Sequence, residues 1–101
     1  MVEVRQTVVF RAWLDGLRDE RAQARIAQRI LRLQAGLMGD VRPVGGGVAE
    51  MRVDYGAGYR VYFVQRGQVL VVLLCGGTKG GQKCHIRRAH EMAVALEDEG
   101  W

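Results

Sequence analysis

The stretch that decides the fold is residues 51–63, MRVDYGAGYRVYF. Before its glycines, apolar residues alternate with charged ones, and a period of two is typical of a half-buried β-strand. The loop Tyr55–Tyr59 contains two glycines and then reverses the chain into a second strand at Arg60–Gln65. These residues predict an antiparallel hairpin, from which the rest of the sheet extends.

The segments on either side of the hairpin predict a layered fold. Gly67 turns the chain into Val69–Cys75, which is apolar on both alternating faces and is therefore predicted as a buried central strand. Three apolar stripes at helical spacing flank these strands. The first follows a short strand predicted at Thr7–Phe10 and consists of Phe10, Trp13, Leu14 and Leu17; the second is Ala22, Ile26, Ile30, Leu33 and Leu37; the third is Ile86, Ala89, Met92, Ala93 and Leu96. We expect an α+β fold, with two N-terminal helices on one face of a small antiparallel sheet and a C-terminal helix on the other.

The composition fits one compact domain spanning residues 1–101. A chain of 101 residues that is 49% hydrophobic can bury a single core, but it has no room for a second domain. The net charge of +4 favours a polyanionic partner such as nucleic acid. The longest apolar run is too short to cross a bilayer and no signal-peptide pattern opens the sequence, so we expect a cytoplasmic protein without a membrane partner.

The hairpin also brings cations to one face of the sheet. If the two tyrosines of the loop lie opposite each other, then Asp54 faces Arg60 and Arg52 faces Tyr62. Lys79, in the glycine-rich loop after the third strand, would arrive beside them. Such a face would present positive charges and a phenol to a phosphodiester.

Ordinary cross-strand pairing is the alternative for the same residues. Arg60 would then pair with Asp54, and Arg52 with Glu50 or a tyrosine; exposed ion pairs of this kind are common, and the residues alone favour this alternative. The loop around Lys79 lacks the residue order of a nucleotide-binding P-loop, which excludes an ATPase.

Several other polar residues admit a structural or a functional role. The second predicted helix carries four arginines at helical spacing, Arg21, Arg25, Arg29 and Arg32. They would form either a solvated face of the helix or a surface that contacts the RNA backbone. A zinc site would need Cys75, Cys84, His85 and His90. Their spacing matches no paired-cysteine ligand pattern, so we predict no metal and no cofactor. His90 is predicted to be a surface or capping residue.

An ordered set of motifs resembles a known protein family. The motifs are Pro43–Gly47, Glu50–Val53, Tyr55–Tyr62 and Leu74–Lys79, followed by Gln82-Lys83 and Ile86. Together they resemble the HigB-like addiction-module killer proteins of the RelE/ParE superfamily. The resemblance runs from the Trp13-Leu14 helix to Ala89, and it identifies residues 1–101 as a single toxin domain of that family.

The resemblance implies both a fold and a function. It implies a RelE-like fold and the toxin of a type II toxin–antitoxin system, with a helix-turn-helix antitoxin as partner in a hetero-oligomer. Toxins of this type cut messenger RNA on the ribosome without a metal, by attack of a ribose 2′-hydroxyl on the neighbouring phosphate. The implied activity is therefore that of an endoribonuclease, an mRNA interferase, that inhibits translation.

The resemblance also implies roles for individual residues. The predicted catalytic residues are Arg60, Arg52 and Lys79, and the predicted substrate-binding residues are Tyr62, Lys83 and His85. Arg60 matches the strand arginine that holds phosphate in this superfamily, and Tyr62 would stack on a base or orient the ribose. His85 departs from the pattern, because relatives of this branch commonly have Asp at that position.

Two other functions are compatible with the same motifs. ParE-type members share the fold but inhibit DNA gyrase and are not nucleases, so fold alone does not select the target. A non-catalytic RNA-binding module or a decayed toxin would need only ordinary pairing of the arginines. The clustered cations favour RNA as the target.

Overall fold

A computed structural model describes residues 2–99, and within this range the chain forms five strands and three α-helices. The strands are β1 (Glu3–Gln6), β2 (Val41–Pro43), β3 (Val48–Val53), β4 (Tyr59–Arg66) and β5 (Leu70–Thr78). The helices are α1 (Val8–Asp15), α2 (Glu20–Gln34) and α3 (Gln82–Asp98), with a 3₁₀ turn, Lys79–Gly81, leading into α3. No helix among the described residues is long and apolar enough to span a membrane.

The sheet is mixed, which corrects the expected fold. Its strand order is β1-β5-β4-β3-β2, and β3, β4 and β5 pair antiparallel in chain order, as predicted. The chain, however, begins with β1 ahead of the helices, and β1 runs parallel to β5, with Glu3 beside Leu70. The predicted RelE-like arrangement, with two helices first on an all-antiparallel sheet, is therefore wrong. Strand β1 has only four residues and its partner lies far along the chain, so no local pattern reveals the pairing.

Thr7 begins a helix, so the short strand predicted at Thr7–Phe10 is wrong. Its hydroxyl accepts a hydrogen bond from the backbone N–H of Phe10 at 3.1 Å, the contact of an N-cap residue. The same hydroxyl lies 2.9 and 2.8 Å from the carbonyl oxygens of Leu73 and Leu74 on β5. Thr7 therefore ends β1, caps α1 and joins the start of that helix to the sheet.

Each face of the sheet carries its own core. Helices α1 and α2 cover one face, whose buried residues are Phe10, Ile26, Ile30, Leu33, Met51, Val53, Val61, Phe63, Val71 and Leu73. Helix α3 covers the other face, where the buried residues are Val48, Tyr62, Val64, Val72, Leu74, Cys75, Ala89, Ala93 and Leu96. Strand β5 lies between β1 and β4 and between both helical layers, so it is buried from residue 71 to residue 77, as its apolar run predicts.

Candidate functional site

A buried carboxylate lies on the sheet face that α3 covers. Glu50, on β3, has no exposed surface. Its Oε2 accepts a hydrogen bond from the Tyr62 hydroxyl at 3.0 Å and another from the Gln82 side-chain amide at 2.9 Å. Its Oε1 accepts from Nε of Arg42 at 3.2 Å. A buried charge is costly unless it is both paired and hydrogen-bonded, and Glu50 meets both conditions.

Three arginines converge on the Oε1 atom of Glu50. The Nε atoms of Arg42, Arg52 and Arg60 lie 3.2, 3.6 and 3.9 Å from it, and their side chains are 51, 32 and 10% exposed. Strand pairing produces this arrangement, because β2 places Arg42 beside Glu50 and β4 places Arg60 opposite Arg52. One carboxylate therefore faces three guanidinium groups, which leaves an excess of positive charge.

Hydrogen bonding fixes the protonation of Glu50 and Tyr62. Burial favours a raised pKa for Glu50, but the hydrogen bonds from Gln82 and Tyr62 and the charges of Arg60 and Arg42 outweigh it, and the net pKa is lowered. Burial and then the hydrogen bond to Glu50 raise the pKa of Tyr62 well above its usual range. At neutral pH Glu50 is therefore ionised and Tyr62 is its neutral donor.

The register of the hairpin differs from the predicted one. Arg52 lies opposite Arg60, and Glu50 lies opposite Tyr62. The predicted pairs, Asp54 with Arg60 and Arg52 with Tyr62, are wrong by a shift of two residues. Because side chains alternate with a period of two, an even shift keeps Arg52, Arg60 and Tyr62 on the predicted face, and it brings Glu50 into the position given to Arg52.

The length of the turn explains the shift. Strand β3 ends at Val53, opposite Tyr59, so both tyrosines cannot close the hairpin as a pair. Tyr55 lies inside the loop, where its ring stacks on that of Tyr59 with 6.5 Å between centroids. Gly56 and Gly58 have φ values of 56° and 78°, a region that side chains disfavour, and these two residues make the longer loop possible.

An open cleft of about 450 Å³ lies at the loop end of the hairpin. It is lined by Asp40, Arg52, Asp54, Gly56, Ala57, Gly58, Arg60 and Lys79. Lys79 reaches the cleft because its backbone N–H donates to the carbonyl of Gly58 at 2.9 Å, which joins the 3₁₀ turn after β5 to the hairpin loop. The three predicted catalytic residues therefore line one cleft, and fixed cations of this kind suit a phosphate group.

The predicted substrate-binding residues lie in three different environments. Tyr62 is fully buried and donates to Glu50, so in this conformation its ring cannot stack on a base. Lys83 is exposed and lines a second depression of about 410 Å³ that shares Lys79 with the cleft. His85 is half-buried in the first turns of α3.

His85 packs against the backbone of two glycines. A Cβ atom added to Gly77 or to Gly81 would overlap the imidazole ring, so the ring needs both positions to be free of side chains. Gly77 is the cross-strand neighbour of Arg60, which places the ring next to the arginine cluster on the same face. The Nδ1 atom of His85 is buried and has no hydrogen-bond partner within residues 2–99.

The arginines of α2 are partly structural. Arg29 donates through Nη1 to the carbonyl of Arg52 at 2.5 Å and through Nη2 to that of Met38 at 3.4 Å, which attaches the helix to the sheet. Arg25 lies over the ring of Tyr55, 4.9 Å from its centroid. Arg21 and Arg32 are exposed.

The cysteines and histidines do not form a metal site in the described part of the chain. Cys75 is buried with its thiol directed at the carbonyl of His85, whereas Cys84 is exposed. Nε2 of His90 lies 2.9 Å from the carbonyl oxygen of Val44, so His90 joins α3 to the loop before β3. Among residues 2–99, no group of three or more His, Cys, Asp or Glu residues could hold a metal ion.

Several residues in and around the site were not predicted from the sequence. Glu50 entered only as an ordinary partner of Arg52, although its position in β3 gives it the same face as both site arginines. Arg42 lies on a three-residue strand with no usable periodicity. Asp40 lines the cleft from a loop position, for which strand alternation makes no prediction, whereas Asp54 was predicted to lie opposite Arg60 and lines the cleft from the hairpin loop.

Comparison with known proteins places the chain in a family. Residues 12–97 match the family described as phage derived protein Gp49-like (DUF891). The chain is also 44% identical over 95 residues to a protein of Haemophilus influenzae (strain Rd) described as "Uncharacterized protein", a match that covers 94% of this chain and 96% of that relative. The chain belongs to the Gp49-like family of phage-derived proteins.

Proposed function

We propose that this protein is the toxin of a toxin–antitoxin pair and that it cleaves messenger RNA on the ribosome. Membership of the Gp49-like family is consistent with such a toxin and with an antitoxin as its partner. The observation that carries the proposal is the convergence of Arg52, Arg60 and Lys79 on one open cleft. The side chain of Arg60 is nine-tenths buried, and an arginine held in this way makes a strong and specific ligand for a phosphodiester.

The proposed reaction is a transesterification within the RNA strand. The ribose 2′-oxygen attacks the adjacent phosphorus, the bond from phosphorus to the 5′-oxygen breaks, and the products end in a 2′,3′-cyclic phosphate and a 5′-hydroxyl. A base takes the proton of the 2′-hydroxyl, and an acid gives a proton to the leaving 5′-oxygen. DNA lacks the attacking group, which restricts this chemistry to RNA.

The cleft supplies the charge that the transition state needs. Negative charge grows on the phosphate oxygens during attack, and cations that are already in place stabilise it without reorganisation. Arg52 and Arg60 would hold these oxygens, while Lys79 approaches from the 3₁₀ turn. The carboxylates of Asp40 and Asp54 line the same cleft, and an ionised carboxylate can accept the proton of the 2′-hydroxyl.

The partners follow from the same proposal. The antitoxin would be a helix-turn-helix protein that forms a hetero-oligomer with the toxin. The ribosome would present the messenger RNA to the cleft, and the net charge of +4 would favour approach to ribosomal RNA.

Two arginines of the Glu50 cluster provide a matched test. Arg42 and Arg52 both direct Nε at Oε1 of Glu50, but only Arg52 lines the cleft. Wild type, Arg52→Ala and Arg42→Ala would each be induced in bacteria, and the 5′ ends of messenger RNA would be mapped with and without an inhibitor of translation initiation. We expect new ends inside translated frames for wild type, a much smaller loss for Arg42→Ala, because Arg42 contacts Glu50 without lining the cleft, and a loss of about 100-fold or more for Arg52→Ala.

The controls separate function from folding and from the gyrase alternative. Circular dichroism of the purified variants would show that both remain folded. Cuts that persist under the inhibitor would contradict ribosome dependence. Intact messages together with arrested DNA replication would replace the proposal by inhibition of DNA gyrase.

A further inference from the structure

We propose that Glu50 is the positioning residue of the cleft, because its buried Oε1 gathers the Nε edges of Arg52 and Arg60 and leaves their Nη groups to a phosphate. The identity of that phosphate, a phosphodiester of RNA, rests on the proposed function. Glu50 does not line the cleft itself, so it would act through the arginines.

The orientation of the two guanidinium groups carries the inference. For both arginines, Nε is the nitrogen that faces Glu50, at 3.6 Å for Arg52 and 3.9 Å for Arg60. Within residues 2–99 no hydrogen bond uses the Nη groups of Arg52 or Arg60, and these groups are not among the buried unpaired atoms. They are therefore accessible from the cleft, whereas the Nε atoms are buried and lie at ion-pair distance from Glu50.

The carboxylate is itself fixed in place. Its other oxygen, Oε2, accepts hydrogen bonds from Tyr62 and from Gln82, which lie on β4 and at the start of α3. Glu50 is thus held by two elements, and its side chain cannot turn without breaking a buried hydrogen bond. A rigid acceptor of this kind orients charged groups as outer-shell partners orient metal ligands.

The charges around Glu50 and the cleft favour the binding of an anion. The cluster and the cleft together hold four cations and three carboxylates, which leaves one positive charge in excess: Arg42, Arg52, Arg60 and Lys79 against Glu50, Asp40 and Asp54. The Nε atoms of Arg52 and Arg60 are buried and make no hydrogen bond in the described part of the chain, so a phosphate would bind these arginines through their Nη groups. A phosphate in the cleft would complete the neutralisation.

Removing the negative charge of Glu50 distinguishes two roles for this residue: positioning the arginines, or only neutralising their charge. If Glu50 only cancels positive charge, Glu50→Gln makes the cleft more positive and should tighten phosphate binding. If Glu50 positions the arginines, the same substitution frees their side chains and binding weakens. The two roles therefore predict changes of opposite sign.

The experiment is a titration of the full chain with inorganic phosphate, followed through the arginine Nε–H signals in nitrogen-15 NMR spectra. In the wild type we expect the Arg52 and Arg60 signals to respond to phosphate. In Glu50→Gln we expect affinity to fall by about 10-fold, the size of effect seen when an orienting outer partner is lost. Glu97→Gln, which removes a carboxylate beside Arg66 on the surface, is the matched control and should bind like the wild type.

A second variant protects the test against loss of folding. Gln82→Ala removes one hydrogen bond to Oε2 but keeps the charge of Glu50, and it should weaken phosphate binding in the same direction by a smaller factor. If folded Glu50→Gln binds phosphate as tightly as the wild type or more tightly, the inference is overturned. If Glu50→Gln does not fold, the same result in Gln82→Ala overturns it. A wild type whose arginine signals ignore phosphate would overturn it as well.

Cleavage assays distinguish this inference from the proposed function. In a reconstituted translation reaction, Glu50→Gln should lower kcat more than it raises KM, because the oriented contacts matter most in the transition state. If the wild type cuts no RNA, the proposed function fails, yet the phosphate titration still decides the role of Glu50. If the wild type cuts RNA and folded Glu50→Gln cuts it equally fast, only the inference fails.

Discussion

Replacement of Tyr62 by phenylalanine tests the buried network most directly. The substitution removes one hydroxyl and leaves the ring, so it opens almost no cavity in the core below α3. The lost hydrogen bond, 3.0 Å long, runs to an ionised acceptor, and bonds to charged groups contribute roughly 1.5–3 kcal/mol. Glu50 keeps the Gln82 amide and its arginines, so we expect the free energy of unfolding to fall by about 2 kcal/mol.

That loss should lower the midpoint of thermal unfolding by about 8–16 °C, at roughly 4–8 °C per kcal/mol for a domain of this size. The assay is urea and thermal unfolding at pH 7, where the raised pKa of Tyr62 guarantees a protonated donor. Tyr55→Phe is the control, because its hydroxyl lies 3.4 Å from Asp19 at the surface and its removal should change stability by less than about 0.5 kcal/mol. Equal stabilities for Tyr62→Phe and Tyr55→Phe would refute the description of Tyr62 as a donor to a buried charge.

Three further predictions concern ionisation, helix attachment and thiol reactivity. Because the pKa of Glu50 is lowered by folding, its stabilising effect is complete above the ordinary pKa of 4.5 and is lost as pH falls through the folded-state pKa. The difference in unfolding free energy between wild type and Glu50→Gln should therefore shrink in acid, and a difference that stays constant with pH would contradict this prediction. Arg29→Met should cost about 1–3 kcal/mol, since it removes the donor to two part-buried carbonyls, that of Arg52 on β3 and that of Met38 in the loop before β2. Arg32→Met, on the same helix but exposed, should cost less than about 0.5 kcal/mol, and equal losses in urea unfolding would argue against a structural Arg29. Burial raises the pKa of Cys75 to about 11, so a thiol reagent at pH 8 should label only the exposed Cys84 in the folded protein, and rapid double labelling would show that Cys75 is accessible.

Strand periodicity predicted the part of the fold that is local in sequence. The alternation around residues 51–63 and the apolar run of β5 gave three antiparallel strands, and the helical stripes gave the layers on both faces. The parallel pairing of β1 with β5 could not be predicted in the same way. A four-residue strand carries too few alternations, and five helical or strand segments separate it from its partner.

In the candidate site, the sequence predicted which residues share a face of the sheet but not which residues lie opposite each other. Alternation correctly gave Arg52, Arg60 and Tyr62 a common face, because that property depends only on odd and even positions. The identity of the neighbour depends on the length of the turn, which the two glycines made longer than the predicted one. That difference placed Glu50 opposite Tyr62, whose hydroxyl donates to it beneath α3.

A β-bulge between β4 and β5 decides what lies beside Arg60. Tyr62 pairs with Cys75 but Phe63 pairs with Leu73, so Leu74 is an extra residue and the alternation of β5 reverses beyond it. Without the bulge, Gly76 would point toward α3 and Gly77 toward α1. With it, Gly76 accepts the Trp13 ring on the α1 side, and Gly77 opens space beside Arg60 for the His85 ring. One inserted residue in an apolar strand therefore sets the register of the polar face, because it places Gly77 rather than Gly76 beside the buried arginine and turns Gly76 toward the Trp13 ring.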